Sequence, residues 1–186
     1  MTEWENAATE QELAFGCLFC ITGKEQALAT LINRTQSVVK AFVAKQEQFH
    51  SQQGVKSKVE KVLMPGYVFF HSPPEEDIEA LIPRDHLIRI LTTDDGVWQL
   101  YGEDERFVRW LWQYGGTLGF SKAMKEGTRI KIISGPMKDL EGKIRKVDKR
   151  GRSGQVALEF CGKTTLVWLC FDLIDVTDKQ VLMPSE

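Results

Sequence analysis

Histidine is scarce in this 186-residue chain: there are three, His50, His71 and His86, each in a different segment. None stands beside a serine motif or a paired carboxylate, so no general-base or nucleophile constellation is legible. The glycine patterns that cradle nucleotide phosphates are missing as well. These absences point away from an enzyme and from a bound cofactor. No apolar run approaches the roughly 20 residues that a membrane span needs. The first residues are acidic rather than basic and then apolar, unlike a secretory signal. The expectation is a cytoplasmic, monomeric protein without a membrane partner. Cysteine is sparse too, at Cys17, Cys20, Cys161 and Cys170. The Cys17-x-x-Cys20 spacing would suit a metal or redox site, but it lies inside Cys17-Leu18-Phe19-Cys20-Ile21, which reads as a buried strand. Positions three apart on a strand face opposite sides, so both sulfurs cannot ligate one ion. Buried apolar thiols and no metal site are expected.

Charge is not short, but it is unevenly placed. Residues 1–121 hold 11 Lys/Arg against 17 Asp/Glu, and residues 122–186 hold 13 against 9, so a net charge of −2 conceals an acidic first part and a basic second part. The densest cationic stretch is Arg145-Lys146-Val147-Asp148-Lys149-Arg150-Gly151-Arg152, five cations against one anion. It lies between the turn signals Gly135-Pro136 and Gly151, with Gly142 where a strand should begin. Such density attracts polyanions. Around it, Arg129–Ile133, Gln155–Phe160 and Val167–Phe171 alternate with period 2, as half-buried antiparallel strands do. The region reads as a small all-β barrel, whose closure would remove exposed sheet edges.

The first part alternates strands and helices. Residues 1–13 carry Glu3, Glu5, Glu10 and Glu12 with few apolar residues and one unexplained Trp4; they read as an acidic, mobile tail. A strand is predicted over Phe15–Thr22 and a helix over Lys24–Gln36, with Ala27, Leu28, Leu31 and Ile32 on one face. A second strand follows from Ser37, then a polar loop or hairpin tip at 46–57. Pro65-Gly66 introduces the aromatic strand Tyr67-Val68-Phe69-Phe70. Ser72-Pro73-Pro74-Glu75 reads as a capped helix start, with Ile78, Leu81 and Ile82 as the buried face. Strands are expected at 86–92 and 97–101 around the turn 93–96, then a helix over Glu103–Tyr114, ended by Gly115-Gly116. This order makes an α+β sandwich. The organisation expected is a domain at 14–114, a linker at 115–125, a β domain at 126–176 and a tail at 177–186.

Tyr67, Phe69 and Phe70 cannot all point to one side of a strand. Either helices cover both faces of the sheet, or a large aromatic side chain is left on the surface as an interface.

Two stretches carry a family resemblance. Gly127 to Val176, through Glu-Gly-Thr-Arg-Ile-Lys-Ile-Ile-Ser-Gly-Pro-Met-Lys-Asp-Leu-Glu-Gly-Lys-Ile, the Phe-Cys-Gly-Lys-Thr hairpin and Val-Trp-Leu-Cys-Phe, resembles the KOW domain of NusG-family transcription elongation factors. Phe19-Cys20-Ile21-Thr22-Gly23-Lys24-Glu25 and Met64-Pro65-Gly66-Tyr67-Val68-Phe69 resemble the NGN domain of the same family. The resemblance covers roughly residues 15–176. It implies an NGN sandwich, an antiparallel sheet with helices, followed by a KOW (SH3-like) barrel. It implies no catalysis, but binding to the clamp helices of RNA polymerase through an apolar depression, with Phe19, Met64, Tyr67 and Phe69 as the matching residues. Three departures stand out. Phe15-Gly16 replaces the usual Trp-Tyr, Met64 replaces an aromatic, and Met137 with Phe160-Cys161-Gly162-Lys163 replaces residues through which the family docks termination factor Rho and a ribosomal protein. Contacts with those two partners are therefore doubtful, and the basic surface beside the changes resembles specialised paralogues of the LoaP antiterminator type.

The expected RNA-binding residues are Lys138, Lys143, Arg145, Lys146, Lys149, Arg150, Arg152 and Trp168, the ligand being a hairpin in a nascent leader transcript. Lys143 and Arg145 should share an outward face opposite Ile144. Trp168 alternates outward from Val167 and Leu169, as a stacking face or an interdomain contact. The alternatives are a general elongation factor that contacts Rho or a ribosomal protein, and a KOW-type RNA-binding protein without polymerase contact. The cysteine pattern alone sets one outcome: protein purified without chelator carries no zinc and four titratable thiols after denaturation, by elemental and thiol analysis. One zinc per chain would overturn that reading.

Overall fold

The computed structural model describes residues 13–52 and 55–174; the segments read as tails, Leu13 apart, lie outside the described residues. In chain order the elements are β1 (Ala14–Cys20), α1 (Glu25–Thr35), β2 (Lys40–Phe42), β3 (Lys45–Gln52), β4 (Val55–Val62), β5 (Tyr67–Ser72), α2 (Ile78–Leu81), β6 (Leu87–Ile90), α3 (Gly102–Gln113), β7 (Thr117–Leu118), β8 (Ser121–Glu126), β9 (Arg129–Ser134), α4 (Pro136–Asp139), a 3₁₀ turn (Glu141–Lys143), β10 (Ile144–Asp148), β11 (Ser153–Phe160) and β12 (Lys163–Leu173). The α+β class holds. The described helices fall below the length and apolarity of a membrane span.

The chain divides into two compact units. One comprises the chain up to Ala44 together with Val62–Gly116; the other comprises Lys45–Lys61 together with the chain from Thr117 on.

The first unit is a four-stranded antiparallel sheet in the order β2-β5-β1-β6. Its two central strands are buried on both faces. Leu18, Cys20, Val68 and Phe70 point into a core with Leu28, Ala29 and Ile32 of α1 and Ile78 of α2. Phe69 points the other way, with its ring 5.8 Å from that of Phe42 and 6.4 Å from that of Phe107 on α3. Both Phe69 and Phe70 are fully buried, and burying each stabilises by roughly 1.5–3 kcal/mol. Cys17 pairs in register with Phe69, so the thiols of Cys17 and Cys20 lie on opposite faces of β1. The Asn33 side chain clamps β2 to α1, donating to the Ala41 carbonyl and accepting from its N–H, each at 2.8 Å.

Several local expectations are corrected. Ala27 is exposed, and Ala29 takes its place in the core. Ser72 is not a helix cap: it ends β5, and Asp77 caps α2 by accepting from the Ala80 N–H. The capping-box pattern misled because the extended strand runs on through Ser72. Residues 97–101 form no strand of the sheet, although the Leu100 N–H donates to the Phe15 carbonyl at 2.8 Å. The strand expected from Ser37 is two strands, β2 and β3, split between the units.

The second unit is built on a five-stranded sheet in the order β10-β11-β12-β8-β9, with β8 and β12 parallel. The stretch read as a linker therefore contains β7 and most of β8, and Leu118, Ser121 and Met124 are buried. Two glycines let the backbone close up. Gly135 has φ +90°, and a Cβ there would sit 2.8 Å from the Ser121 Cα. Beside it the Ser121 hydroxyl accepts from the Met137 N–H at 2.9 Å. The Met137 side chain fills the space over Gly154. In the polar stretch 46–57 the described residues belong to β3 and β4, neighbours in a three-stranded sheet, and join this unit, while the expected tip at 53–54 lies outside the described residues. β3 runs parallel to β7, Phe49 meets Phe120 edge to face at 4.5 Å, and Lys58 lies 4.1 Å above the Phe120 ring and 3.7 Å from Asp172.

Glycine at position 16 has a packing reason. Gly16 lies opposite Phe70, and the Phe70 ring covers it so closely that a Cβ would overlap the ring. Gly16→Ala should thus cost about 1–3 kcal/mol through overpacking, read as a lowered denaturation midpoint with an unchanged slope.

Candidate binding surfaces

The first candidate surface starts from a buried carboxylate. Glu25 opens α1, where a negative charge is favoured by the helix dipole. Its Oε2 accepts from the Gly23 N–H at 2.9 Å and its Oε1 from the Gly66 N–H at 2.7 Å. One side chain thus joins the start of a helix to a turn 41 residues away. The turn is Met64-Pro65-Gly66-Tyr67, closed by Tyr67 N–H to Met64 carbonyl at 3.2 Å and tied to β1 by Cys20 N–H to Gly66 carbonyl at 2.8 Å. Gly66 has φ +86°, and a Cβ there would stand 3.0 Å from the Phe19 ring. Only glycine allows both the backbone and the contact.

This arrangement brings Phe19 and Tyr67 together. They are register partners on the face that also carries Phe69. Their rings meet edge to face, 5.4 Å apart and inclined at 61°. Arg89, opposite Phe19 on β6, lies 6.0 Å from its ring. A bulge sets Ile88 out of the pairing between Leu87 and Arg89, and Ile88 is 56% exposed; Ile21, at the same end of the sheet, is 50% exposed. The result is a half-exposed aromatic pair with exposed isoleucines and one cation, at the end of a sheet whose middle is covered.

Of the residues matched by resemblance, Phe19 and Tyr67 are half-buried and adjacent, Met64 is 8% exposed beneath the turn, and Phe69 has no exposed surface. Phe69 is corrected to a core residue, because α3 covers its face of the sheet. Sequence reasoning missed Ile88 and Arg89. The i-to-j register that places Arg89 beside Phe19, and the bulge that turns Ile88 outward, leave no trace in either segment alone.

The second candidate surface is the basic edge of the five-stranded sheet. Asp148 Oδ1 accepts from the N–H groups of Arg150 at 3.0 Å and Gly151 at 2.9 Å, folding the β10–β11 turn on itself. A Cβ at Gly151 would collide with that carboxylate, and Arg152 follows with φ +52°. The one acidic side chain of the stretch is thus occupied by its own turn. Lys143, Arg145, Lys146, Lys149, Arg150 and Arg152 are all exposed. Among the described residues, none of these six forms an ion pair, whereas Lys138 pairs with Glu141 at 2.7 Å. Lys149 donates to the Thr128 carbonyl.

The geometry of β10 differs from simple alternation. Gly142 and Lys143 lie in the 3₁₀ turn, not on a strand. The register steps from Ile144 opposite Val156 to Lys146 opposite Gln155, so Arg145 is an extra, bulged residue. The expected pairing of Lys143 with Arg145 on one strand face is therefore replaced. Without the bulge Lys146 would point with Ile144 toward the core; with it, Arg145 and Lys146 are both exposed. Trp168 is half-buried on β12.

No family model matches this sequence, and no curated protein sequence does either. Among solved structures, one described as "Domain interaction in Thermotoga maritima NusG" is similar with a TM-score of 0.50 and 20% identity, over 86% of this chain and 94% of that one. The likeness establishes the shared fold.

The Glu25 geometry sets a pH-dependent outcome. Burial raises the Glu25 pKa, but the N–H groups of Gly66, of its own residue and of Gly23 outweigh it, and the net shift is downward. A carboxylate whose folded pKa is depressed contributes stability above its unfolded pKa, and that stability is lost as pH falls through the folded value. Glu25→Gln should therefore lose stability at pH 7, by about 1.5–3 kcal/mol for hydrogen bonds to a charged group. The gap from wild type should shrink steadily as the pH is lowered below 4, in urea melts across that range. A gap independent of pH would refute the charged role.

Proposed function

We propose that this protein is a transcription elongation factor of the NusG kind, which binds RNA polymerase through the Phe19–Tyr67 corner and RNA through its basic β10–β11 edge. The observation that carries the polymerase reading is the half-exposed Phe19–Tyr67 pair with Arg89 and Ile88, on a fold like that of Thermotoga maritima NusG. Aromatic and arginine side chains concentrated on a small apolar surface are the residue types that dominate protein–protein binding energy. In the family that the sequence resembles, the clamp helices of polymerase occupy this place. Met64, under the turn, supports the corner, and Phe69 supports it from the core.

The finer reading is antitermination at particular operons, with a hairpin in the nascent leader RNA as the recruiting element. Its support is the set of uncompensated cations on the second unit together with the changed partner surface. Met137, which stands where the family's Rho- and ribosome-docking phenylalanine would be, is fully buried over Gly154. Cys161 and Gly162 form an exposed hairpin tip with positive φ. The same cations favour a second reading, an RNA-binding protein with no polymerase contact. The chemistry of either is binding, with no bond made or broken.

The test uses the full chain and purified core RNA polymerase. Tyr67→Ala should weaken binding about tenfold or more and leave the thermal midpoint within a few degrees of wild type. Equal affinities, or no polymerase binding by wild type, would refute the corner as the site and favour the second reading. For RNA, four engaged phosphates give a slope of log affinity against log salt of roughly three to four, and replacing Arg145, Arg150 and Arg152 by Gln should lower it by about two to three. An unchanged slope would place the RNA elsewhere. Transcript profiling after deletion separates a specialist, with one or a few operons affected, from a general factor, with hundreds.

A further inference from the structure

We infer that the row Lys146–Gln155–Trp168 across β10, β11 and β12 is a stacking platform for an unpaired nucleotide, so that the RNA taken by the basic edge is single-stranded or looped rather than a duplex stem. The inference rests on the RNA reading above.

The register places three side chains in one row. Lys146 on β10 lies opposite Gln155 on β11, and Gln155 lies opposite Trp168 on β12. Directly opposed residues share a face and stand about 4.5–5.5 Å apart at Cβ. This face is opposite the one carrying Gly154, Val156 and Leu158; on it Ala157 and Cys170 are buried, Gln155 and Trp168 are half-buried and Lys146 is exposed. The bulge at Arg145 brings Lys146 into the row.

The row combines three functions that a nucleotide needs. Trp168 is half-buried, so its indole is anchored yet retains an open surface, and it has no ring partner among the described residues. Gln155 offers an amide donor and acceptor beside it, and makes no side-chain hydrogen bond among the described residues. Lys146 supplies an exposed ammonium without an ion-pair partner among them. Arg145 lies next to it in the bulge, and the tip cations Lys149, Arg150 and Arg152 continue the positive surface beyond the end of the strand. A base stacked on the indole would place its edge near the Gln155 amide and its phosphate near Lys146 and Arg145. In a helical stem the bases are already stacked on one another, and the base edges of A-form RNA lie in a groove too narrow for side chains. An aromatic platform therefore selects for unpaired bases, while the cations alone would accept any polyanion. Uncompensated positive charge at the β10 end of the row also favours a nucleic acid over an apolar protein segment as its occupant.

The experiment measures fluorescence anisotropy of three labelled probes with the full chain: an oligouridine RNA of about 12 nucleotides, within the span of a single-strand site, a blunt RNA duplex of the same length and an oligothymidine DNA of the same length. Wild type should prefer oligouridine to the duplex. Trp168→Leu should lose about tenfold on oligouridine, with the duplex affinity and the salt slope unchanged; Trp168→Phe should keep most of the affinity. If Trp168→Leu folds poorly, the preference of wild type for unpaired over paired RNA still decides. Equal binding of oligouridine and duplex, with a steep salt slope, would overturn the platform and leave the RNA reading standing. Full affinity of a folded Trp168→Leu for oligouridine would also overturn it. Oligothymidine bound as tightly as oligouridine would overturn the assignment to RNA. Binding of none of the probes would remove the RNA reading itself.

Discussion

The first unit depends on two consecutive phenylalanines buried on opposite faces of one strand. Phe69 and Phe70 sit in the middle of β5, each without exposed surface. Successive side chains on a strand point to opposite sides, so neither can be buried unless something covers each face. α1 and α2 cover one, and α3 covers the other. Once both faces are covered, apolar surface can remain only where the strands outrun the helices. Phe19 and Tyr67 occupy such a place. The candidate interface is thus a consequence of the core, and Glu25 holds its shape by linking the first turn of α1 to the Gly66 N–H.

His71 shows the cost of the same enclosure. It lies two residues beyond Phe69 on that face, 4.5 Å from the Trp112 ring and 5.8 Å from Phe15. Burial, with the nearby Lys40 charge adding to it, pushes its pKa down, and neither ring nitrogen has a hydrogen-bond partner among the described residues. The neutral imidazole is accepted there as an aromatic filler. Where a buried polar group is paired, as Glu25 is, it organises a turn; where it is not, as here, it serves packing alone.

The second unit uses different devices for a similar end. Gly135 and Gly154 remove side chains where Ser121 and Met137 press close, and the bulge at Arg145 reverses the facing of the strand residues beyond it. The β3–β4 hairpin belongs to this unit through Phe49, Phe120 and Lys58, although it lies between two strands of the first. Neither unit is therefore one continuous stretch of chain. A cut near residue 121 would separate the hairpin from the strands it packs on, so binding experiments are best read on the full chain.

The α+β class, the aromatic strand, the two longer helices and the concentration of cations between residues 145 and 152 were all legible in the sequence, because periodicity and local charge are properties of neighbouring residues. So was the separation of the Cys17 and Cys20 thiols, which strand alternation requires. Whether Phe69 was surface or core was not legible, since a buried strand reads the same whether its second face meets a helix or a partner. The adjacency of Phe19, Tyr67 and Arg89 and the row Lys146–Gln155–Trp168 depend on strand register, in which one extra residue reverses the facing of everything after it. Alternation counted along β10 alone puts Lys146 on the core side, and only the pairing with β11 turns it outward. The allegiance of the hairpin was likewise decided by tertiary packing, because the ring of Phe120 that holds Phe49 and Lys58 comes from a segment that reads, by itself, as a linker. Composition and periodicity determined what the chain is made to fold into; which side chains meet at its two surfaces was decided by register, by bulges and by the helices that cover the sheet.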